Sequence, residues 1–307
     1  MVRRVLIALI GLALIAGGAF WMLSQPVRLT AAELPSGPGD PENGRRLFFA
    51  GGCAACHTEG EADDGSPLLS GGLALKTPFG PIAVPNISPD PQHGIGAWSL
   101  ADFANAMTRG VSPSGAWYVP AFPWTSYRGM ALTDVVDLKA YLDTLPPSDR
   151  ADDPGGLPFP FSWRRPIGLW ARVFLNDLPA APAGADQTVA RGHYLVTALG
   201  HCGECHTPRT ATFAPDYAQL LAGAPAPDGD GDGDGDGDGT VPNITPSAQG
   251  IGSWPASDIA YLLESGFTPD FDSVGGEMGP VVDNWSKVPA DDRAAVAAYL
   301  KAIPPLP

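Results

Sequence analysis

The chain has 307 residues, of which 44% are hydrophobic, and its 33 acidic residues outnumber its 18 Lys and Arg residues to give a formal charge of −15. Such an acidic surface excludes ordinary nucleic-acid binding, which needs basic side chains, and favours docking to a basic partner. The length allows two domains, and the 34 prolines and 38 glycines indicate loop-rich domains rather than extended sheets.

The amino terminus carries Arg3 and Arg4, followed by an uncharged apolar run from Val5 to Leu23. These 19 residues are enough to cross a bilayer as a helix, whereas the core of a signal peptide is usually shorter. The two arginines predict a cytoplasmic amino terminus and export of everything that follows. We interpret residues 1–24 as an inner-membrane anchor in preference to a cleaved signal segment; both interpretations place the rest of the chain in the periplasm.

The motif Cys53-Ala54-Ala55-Cys56-His57 recurs as Cys202-Gly203-Glu204-Cys205-His206. In C-x-x-C-H the two thiols can form thioethers to the vinyl groups of a haem, and the histidine can ligate its iron. A zinc knuckle, a disulfide or a redox dithiol would not require a histidine after each second cysteine. The four cysteines of the chain are all used by the two motifs, which therefore predict two covalently bound haem c groups. Attachment of haem c also indicates the periplasm.

The first haem domain is predicted to span residues 40–148, after a Pro/Gly/Ala-rich linker at residues 25–39 that we expect to be a tether. Asp40 and Pro41 form a good helix start, as the N-cap and the first helical residue. Gly44 and Phe48 lie one turn apart and are predicted to cross closely against a later helix, Leu132–Leu145. Packing of the first helix against the last predicts an all-α domain with long loops.

The iron of a haem c needs a sixth ligand, and methionine is common in electron-transfer proteins because it raises the reduction potential. Met130 is the favoured ligand in the first domain, since it lies in a loop just before the last helix. Met107 falls in a predicted amphipathic helix, Leu100–Thr108, and is more consistent with the core. His93 is a further alternative.

Residues 149–185 are predicted to connect the two domains. They contain a short apolar helix, Leu169–Phe174, and an unusual group of aromatic and basic residues that includes Trp163, Trp170 and Arg172. The favoured interpretation is an interdomain strap with packed tryptophans; the alternative is contact with a partner or with a haem propionate.

The second haem domain is predicted to span residues 186–307, because the order of elements repeats. Val84-Pro85-Asn86-Ile87-Ser88-Pro89 returns as Val241-Pro242-Asn243-Ile244-Thr245-Pro246, which indicates a duplicated unit. The asparagines of this repeat could contact propionates or hold the loop. The first and last helices are predicted at Val189–Leu199 and Ala290–Ile303.

Met278 is the only methionine of this second half and lies in a predicted loop before the last helix, so it is the favoured axial ligand. His193 and His201 are the alternatives, although His201 adjoins the attachment motif and is poorly placed for the distal side. The Asp-Gly run from Asp228 to Gly239 lacks the glutamate that closes an EF-hand loop, and is interpreted as a disordered surface loop rather than a calcium site.

These motifs resemble the diheme c-type cytochromes of proteobacteria, and are similar to the cytochrome subunits of membrane-bound alcohol, aldehyde and gluconate dehydrogenases. The resemblance rests on the following stretches: Gly52–His57, Val84–Pro89, Gly94–Trp98, Tyr118–Trp124, Gly200–Pro208, Val241–Pro246 and Met278–Val282. It implies two tandem class I-like cytochrome c domains after an N-terminal transmembrane helix, with His57/Met130 and His206/Met278 as axial pairs. The chain departs from the alcohol and gluconate dehydrogenase subunits in having no third C-x-x-C-H motif.

The functional expectation is a membrane-anchored periplasmic electron carrier rather than an enzyme. Its predicted donor is a periplasmic dehydrogenase and its predicted acceptor is quinone or a terminal oxidase, with no role for nucleic acid. The sequence shows no nucleophile or acid–base group that calls for substrate chemistry. The alternatives are a diheme peroxidase, in which one haem would be open, and a thiosulfate-oxidising cytochrome, which the lack of a spare cysteine ligand disfavours.

Overall fold

The computed structural model describes residues 1–62, 64–153, 156–225 and 240–307, so the Asp-Gly run of residues 228–239 lies outside the described residues. This part of the chain is mainly helical. Its α-helices are α1 (Val2–Leu23), α2 (Pro41–Ala50), α3 (Cys53–His57), α4 (Leu100–Arg109), α5 (Trp124–Tyr127), α6 (Leu132–Leu142), α7 (Arg165–Phe174), α8 (Gln187–Tyr194), α9 (Gly203–His206), α10 (Ala256–Ser265), α11 (Met278–Trp285) and α12 (Ala290–Ala302).

The remaining regular elements are short. One turn of π-helix at Leu195–Leu199 continues α8, and Ala31–Glu33 and Tyr217–Gln219 form 3₁₀ turns. Two antiparallel ribbons pair β1 (Ala74–Leu75) with β2 (Ile82–Ala83) and β3 (Ala224–Pro225) with β4 (Thr240–Val241).

The helix α1 covers the apolar amino-terminal run, and none of its residues is buried in the protein. Its length of 22 residues and mean hydropathy of 2.4 suit a membrane span. The carboxyl end of α1 is nevertheless built into the folded chain, since Ser24 is fully buried. The end of α1 therefore packs against the folded chain and is not separated from it by a flexible linker.

The segment after α1 also differs from the expected tether. The backbone N–H of Leu29 donates to the side-chain oxygen of Asn105 at 2.7 Å, and the Asn105 amide donates back to the Leu29 carbonyl at 2.9 Å. Leu29 itself is only 8% exposed. Because these contacts come from α4, far along the chain, the composition of residues 25–39 could not reveal them.

The first half is organised around the crossing of α2 and α6, as predicted. The Asp40 side chain caps α2 by accepting the backbone N–H groups of Glu42 and Asn43. A Cβ at Gly44 would lie 2.0 Å from the Asp137 carbonyl oxygen and 2.7 Å from the Tyr141 Cβ, so only glycine permits this approach. The helix α6 ends at Leu142, three residues before the predicted end, although Leu145 still packs in the core.

The second half repeats this crossing with α8 and α12. A Cβ at Gly192 would lie 1.9 Å from the Ala295 carbonyl oxygen and 2.7 Å from the Tyr299 Cβ. Gly44 and Gly192 therefore contact corresponding residues of the two closing helices, α6 and α12. The repeat seen in the sequence is thus a repeat of packing geometry.

The two halves contact each other through the residues that immediately precede the two C-x-x-C-H motifs. A Cβ at Gly51 would lie 3.5 Å from Leu199, and a Cβ at Gly200 would lie 3.5 Å from the Ala50 carbonyl oxygen. Farther out, Arg46 of α2 pairs with Asp292 of α12 at 3.2 Å. The reciprocal contacts bring the two attachment motifs to one shared boundary.

The connector helix α7 packs against the end of α1. Arg165 donates to the Trp21 carbonyl at 2.7 Å, and Arg172 donates to the Leu23 carbonyl at 3.0 Å. Trp170 donates its indole N–H to the Thr212 carbonyl in the second half, which fits the strap interpretation. Trp163, in contrast, is 55% exposed, so the expectation of packed tryptophans holds for Trp170 and not for Trp163.

Candidate haem-attachment sites

The first motif forms the short helix α3, which places the thiols of Cys53 and Cys56 within one helical turn. Gly52 precedes it with a φ of 66°, a left-handed conformation that glycine adopts at little cost. Burial raises the pKa of Cys53 to about 12, so its thiol is protonated at neutral pH. The motif thus presents two neighbouring thiols on one turn, the geometry needed to attach one haem by two thioethers.

The second motif has the same arrangement around α9. Cys202 immediately precedes the helix and Cys205 lies within it. Burial raises the pKa of Cys202 to about 12, as it does for the corresponding cysteine of the first motif. All four cysteines lie in the described residues and none is paired in a disulfide.

Each motif histidine is oriented by a backbone carbonyl. The Nδ1 of His57 lies 2.8 Å from the Pro85 carbonyl oxygen, and the Nδ1 of His206 lies 2.8 Å from the Pro242 carbonyl oxygen. A carbonyl only accepts hydrogen bonds, so the proton belongs on Nδ1 and the lone pair of Nε2 remains available to a metal. Burial lowers the pKa of His57 to about 4 and lowers that of His206, which keeps both rings neutral at pH 7.

The prolines that supply these carbonyls belong to the repeated Val-Pro-Asn-Ile sequence. Sequence reasoning singled out the asparagines of this repeat and missed the proline carbonyls. The only available signal was the recurrence of the prolines at matching positions, because the chain separations of 28 and 36 residues between histidine and carbonyl carry no local pattern.

The asparagines hold the loops in place. The Asn86 amide donates to the carbonyls of Ser148 and Arg150, both at 2.9 Å, and its oxygen accepts the backbone N–H of Ser88. Asn243 donates to the Leu306 carbonyl at 3.0 Å and accepts from Thr245. Each asparagine thus ties its loop to the segment after the last helix of its half, which favours the loop-holding interpretation over propionate contact.

The two candidate axial methionines lie in different structural settings. Met130 is 5% exposed in the loop between α5 and α6, as predicted. Met278 is the first residue of α11 rather than a loop residue, and it is half-buried. The prediction of a loop was wrong because α11 already begins at Met278 and buries Val282, Asn284 and Trp285 against the rest of the fold, which the local sequence does not show.

The internal repeat does not superpose the two methionines. When Tyr141 is matched to Tyr299, Met130 falls eleven positions before the first and Val288 falls eleven positions before the second. Val288 is 2% exposed and belongs to the core. The helices α5 and α11 correspond in the two halves. Met130 follows the carboxyl end of α5, whereas Met278 lies at the amino end of α11.

The alternative ligands have other partners or positions. Met107 packs in the core of α4 with 6% exposure, as expected. His193 donates its Nε2–H to the Pro179 carbonyl at 2.8 Å, because a carbonyl oxygen only accepts. His93 lies 3.5 Å from Asp90, and the ring of His201 lies 5.5 Å from that of Tyr127.

One largely buried carboxylate, Glu204, connects the second motif to the first half. Glu204 accepts hydrogen bonds from the hydroxyls of Thr125 at 2.7 Å and Ser126 at 2.6 Å, and it pairs with Arg209. Burial by itself would raise the pKa of Glu204, but Arg209 and the two hydroxyls together lower it below its ordinary value. The carboxylate therefore stays ionised and links the second motif to α5.

The helix α5 also reaches back to the first motif. The Tyr127 hydroxyl donates to the Gly51 carbonyl at 3.0 Å. Since Tyr127 is also beside His201, one helix touches the residues that precede both motifs. The loop of Met130 follows α5 directly, so one short helix contacts both candidate sites.

Comparison with known proteins agrees with this arrangement. The sequence profile of the cytochrome c family matches residues 41–146. A protein of Cereibacter sphaeroides described as a diheme cytochrome c-type is 48% identical, over 98% of this chain and 99% of that protein.

Two longer proteins match as well. The fructose dehydrogenase cytochrome subunit of Gluconobacter japonicus is 37% identical over 85% of this chain and 52% of its own length. The alcohol dehydrogenase (quinone) cytochrome c subunit of Gluconacetobacter polyoxogenes is 37% identical over 87% of this chain and 56% of its own length. The chain thus spans nearly all of the Cereibacter protein and about half of the two dehydrogenase subunits.

Proposed function

The chain belongs to the diheme c-type cytochromes, and from this membership we propose that it is a membrane-anchored periplasmic carrier that relays single electrons through two covalently bound haem c groups. A bound haem c supplies a one-electron ferric/ferrous couple at its iron. The contribution of the protein is to attach, orient and bury that group.

The observation that carries the proposal is the geometry of the motif histidine, which is the same in both halves. In each half, two thiols share one turn and the following imidazole is neutral, with its Nδ1 bonded to a proline carbonyl 2.8 Å away. This donor set fits a haem c, since it offers two thioether positions and one Nε2 lone pair. A disulfide or a redox dithiol would not need a histidine held in this way, whereas a histidine that ligates a metal does.

We assign the proximal ligands to His57 and His206 and the distal ligands to Met130 and Met278. The attached groups are held by Cys53 with Cys56 and by Cys202 with Cys205. The corresponding class I-like domains cover residues 40–148 and 186–307, with residues 149–185 as the connector. The repeated crossing of the first and last helix of each half supports this division.

The partners follow from the relatives and from charge. Fructose and alcohol dehydrogenases each include a cytochrome subunit similar to this chain, so we propose a periplasmic dehydrogenase as donor and quinone or a terminal oxidase as acceptor. The formal charge of −15 suits docking to a basic partner and is unsuited to nucleic acid. The helix α1 would anchor the carrier in the inner membrane with its amino terminus in the cytoplasm.

The proposal is tested on the full chain produced with haem maturation. The mass of the denatured chain should exceed that of the polypeptide by two haems, and the oxidised protein should show two haems' worth of the near-infrared methionine–iron band. Cys202→Ala combined with Cys205→Ala should remove one covalent haem and leave the other. A chain without added mass would refute haem attachment; one open, high-spin haem would favour a diheme peroxidase instead.

A further inference from the structure

The junction between α1 and α7 contains a basic cavity that the relay does not use. Its volume is about 230 Å³, and it lies between residues 25–27, the ends of α4 and α5, and α7. Arg109, Arg128 and Arg172 line it together with the rings of Trp117 and Trp124. We propose that this cavity binds the phosphate headgroup of an anionic phospholipid, an inference that rests on the proposed membrane anchor.

The position of the cavity is set by the contacts at the end of α1. Arg165, Gly168 and Arg172 form one stripe of α7 that faces this end. Arg165 also donates to the Ser24 hydroxyl at 2.9 Å, and a Cβ at Gly168 would lie 2.3 Å from the Ser24 carbonyl oxygen. If α1 spans the bilayer, the cavity therefore lies where the chain leaves it, at the level of the lipid headgroups.

The charge of the cavity is opposite to that of the whole chain. Three arginines line it and no acidic residue does. Among the residues that the structure describes, none of these three arginines forms an ion pair with a carboxylate, although Glu33 lies near enough to sense Arg109. A phosphodiester accepts the paired N–H groups of guanidinium ions well, so an anion is the complementary ligand.

The lining arginines differ in how many of their N–H groups are already used: Arg109 makes no hydrogen bond among the described residues, Arg172 makes one, and Arg128 makes several. Arg128 donates to the Thr125 carbonyl and to the Asn176 carbonyl, and Arg172 donates its Nε to the Leu23 carbonyl. Both tryptophans already use their indole N–H groups on backbone carbonyls, so they offer the cavity only apolar ring surface. The charged recognition would come from the guanidinium groups, beside the one free polar side chain that the lining adds among the described residues, Gln25.

The surface around α7 is consistent with contact to a bilayer. Several large apolar side chains there are more than two-fifths exposed: Val27, Phe159, Phe161, Trp163, Val173 and Phe174. The Trp163 ring lies 5.5 Å from that of Phe20 in α1, which makes this surface continuous with the anchor. Aromatic and basic residues are typical of the interface between membrane and water. A cavity of this size holds a headgroup, and the acyl chains would lie along the exposed apolar surface.

The test uses the full-length holoprotein in detergent, titrated with phosphatidylglycerol or phosphatidylcholine and analysed by native mass spectrometry. Phosphatidylglycerol should bind about tenfold more tightly, because the choline ammonium is repelled by the arginines. Arg109→Gln should remove this difference, because it takes away one of the positive charges that would attract the phosphate. The variant should still fold, since Arg109 makes no hydrogen bond among the described residues. Arg45→Gln, an equal charge change on the exposed surface of α2, should leave it intact.

Equal binding of the two lipids, or equal effects of Arg109→Gln and Arg45→Gln, would overturn the inference. Displacement of the lipid by inorganic phosphate at matching concentration would assign the cavity to a soluble anion instead, and displacement by a short-chain quinone would assign it to quinone. Flotation with phosphatidylcholine vesicles separates the two proposals: a chain that floats but shows no phosphatidylglycerol preference keeps its anchor and loses the lipid site. A chain that floats with no vesicle loses both.

Discussion

The two halves of the chain share the geometry of the candidate proximal histidines and differ in where the candidate distal methionines lie. Both place two thiols on one turn, fix a histidine on a proline carbonyl and tie the loop with an asparagine. Yet Met130 follows α5 in the first half, whereas Met278 begins α11 in the second and Val288 takes the position that corresponds to Met130.

This contrast indicates which part of a duplicated haem site is constrained. In the proposed haem sites, thioether attachment and imidazole ligation would require one fixed geometry, and both halves have the same geometry there. A distal methionine has a long, flexible side chain and can reach an iron from more than one backbone position. Two unlike distal sides would allow two different reduction potentials within one chain, which suits a directional relay.

The largest expected effect concerns the methionines. Met130→Ala and Met278→Ala should each remove one haem's worth of the near-infrared band and lower the reduction potential of one centre, because methionine ligation raises it. Potentiometric titration with near-infrared absorption measures both. Val288→Ala is the matched control: it should cost about 2 kcal/mol of stability by leaving a cavity and keep the full band. A full band in Met130→Ala would return the first distal position to Met107 or His93.

The next effect concerns corresponding aspartates in the closing helices. Asp292 is 4% exposed and accepts from Arg191 at 2.8 and 3.0 Å and from Arg46 at 3.2 Å. Asp292→Asn should destabilise the chain by about 2–3 kcal/mol, because it removes a buried carboxylate that accepts hydrogen bonds from two partly exposed guanidinium groups. Asp134→Asn, at the matching position of α6, should cost only about 1 kcal/mol, since Asp134 accepts neutral hydrogen bonds from Tyr194 and Asn43. Equal losses in chemical denaturation would contradict this asymmetry.

The Asp292 carboxylate predicts that the stability of the chain depends on pH. Burial by itself would raise the pKa of Asp292, but Arg191 and Arg46 together lower it below its ordinary value of 3.8. A lowered carboxyl pKa stabilises the folded state above the unfolded pKa, and this stabilisation is lost as the pH falls through the folded value. The wild-type chain should therefore lose stability more steeply than Asp292→Asn below about pH 4 in acid-unfolding curves. Parallel curves for the two chains would disprove a contribution from this group.

A smaller effect is expected at the two helix crossings. Gly44→Ala and Gly192→Ala should each cost about 1–3 kcal/mol, because the added methyl meets a backbone carbonyl that can yield only if the helices separate. Gly279→Ala in α11, where a Cβ meets nothing within 4 Å, should be neutral or slightly stabilising. Thermal unfolding of the three variants measures this. Similar behaviour of all three would mean that the crossings are looser than the structure shows.

The smallest expected effect concerns the loop asparagines. Asn86→Ala and Asn243→Ala should each cost about 1–2 kcal/mol by unpairing backbone groups of the loop that orients the histidine. Gln92→Ala, an exposed neighbour whose side chain makes no hydrogen bond in the described structure, should be neutral. Denaturant midpoints report the stability. A larger loss at one asparagine than at the other would show that the proximal loops are less alike than their contacts suggest.

The sequence by itself determined the features that depend on local chemistry or on exact recurrence. Two C-x-x-C-H motifs predicted the attachment cysteines and histidines, Asp40 before Pro41 predicted the start of α2, and the apolar run predicted α1. Gly44 was recognisable as a crossing point because it lies one turn from Phe48 in the first predicted helix of the domain. Each of these patterns lies within one continuous stretch of the chain.

Only the tertiary structure decided the features that depend on distant residues. The carbonyls of Pro85 and Pro242 reach histidines 28 and 36 positions away, and Asn105 holds Leu29 across 76 positions. The helical setting of Met278, the carboxylate bridge of Glu204 and the capping of α1 by α7 likewise come from long-range packing. Periodicity and composition describe residues that are neighbours along the chain. These contacts join residues that are distant in sequence and become neighbours only when the chain folds.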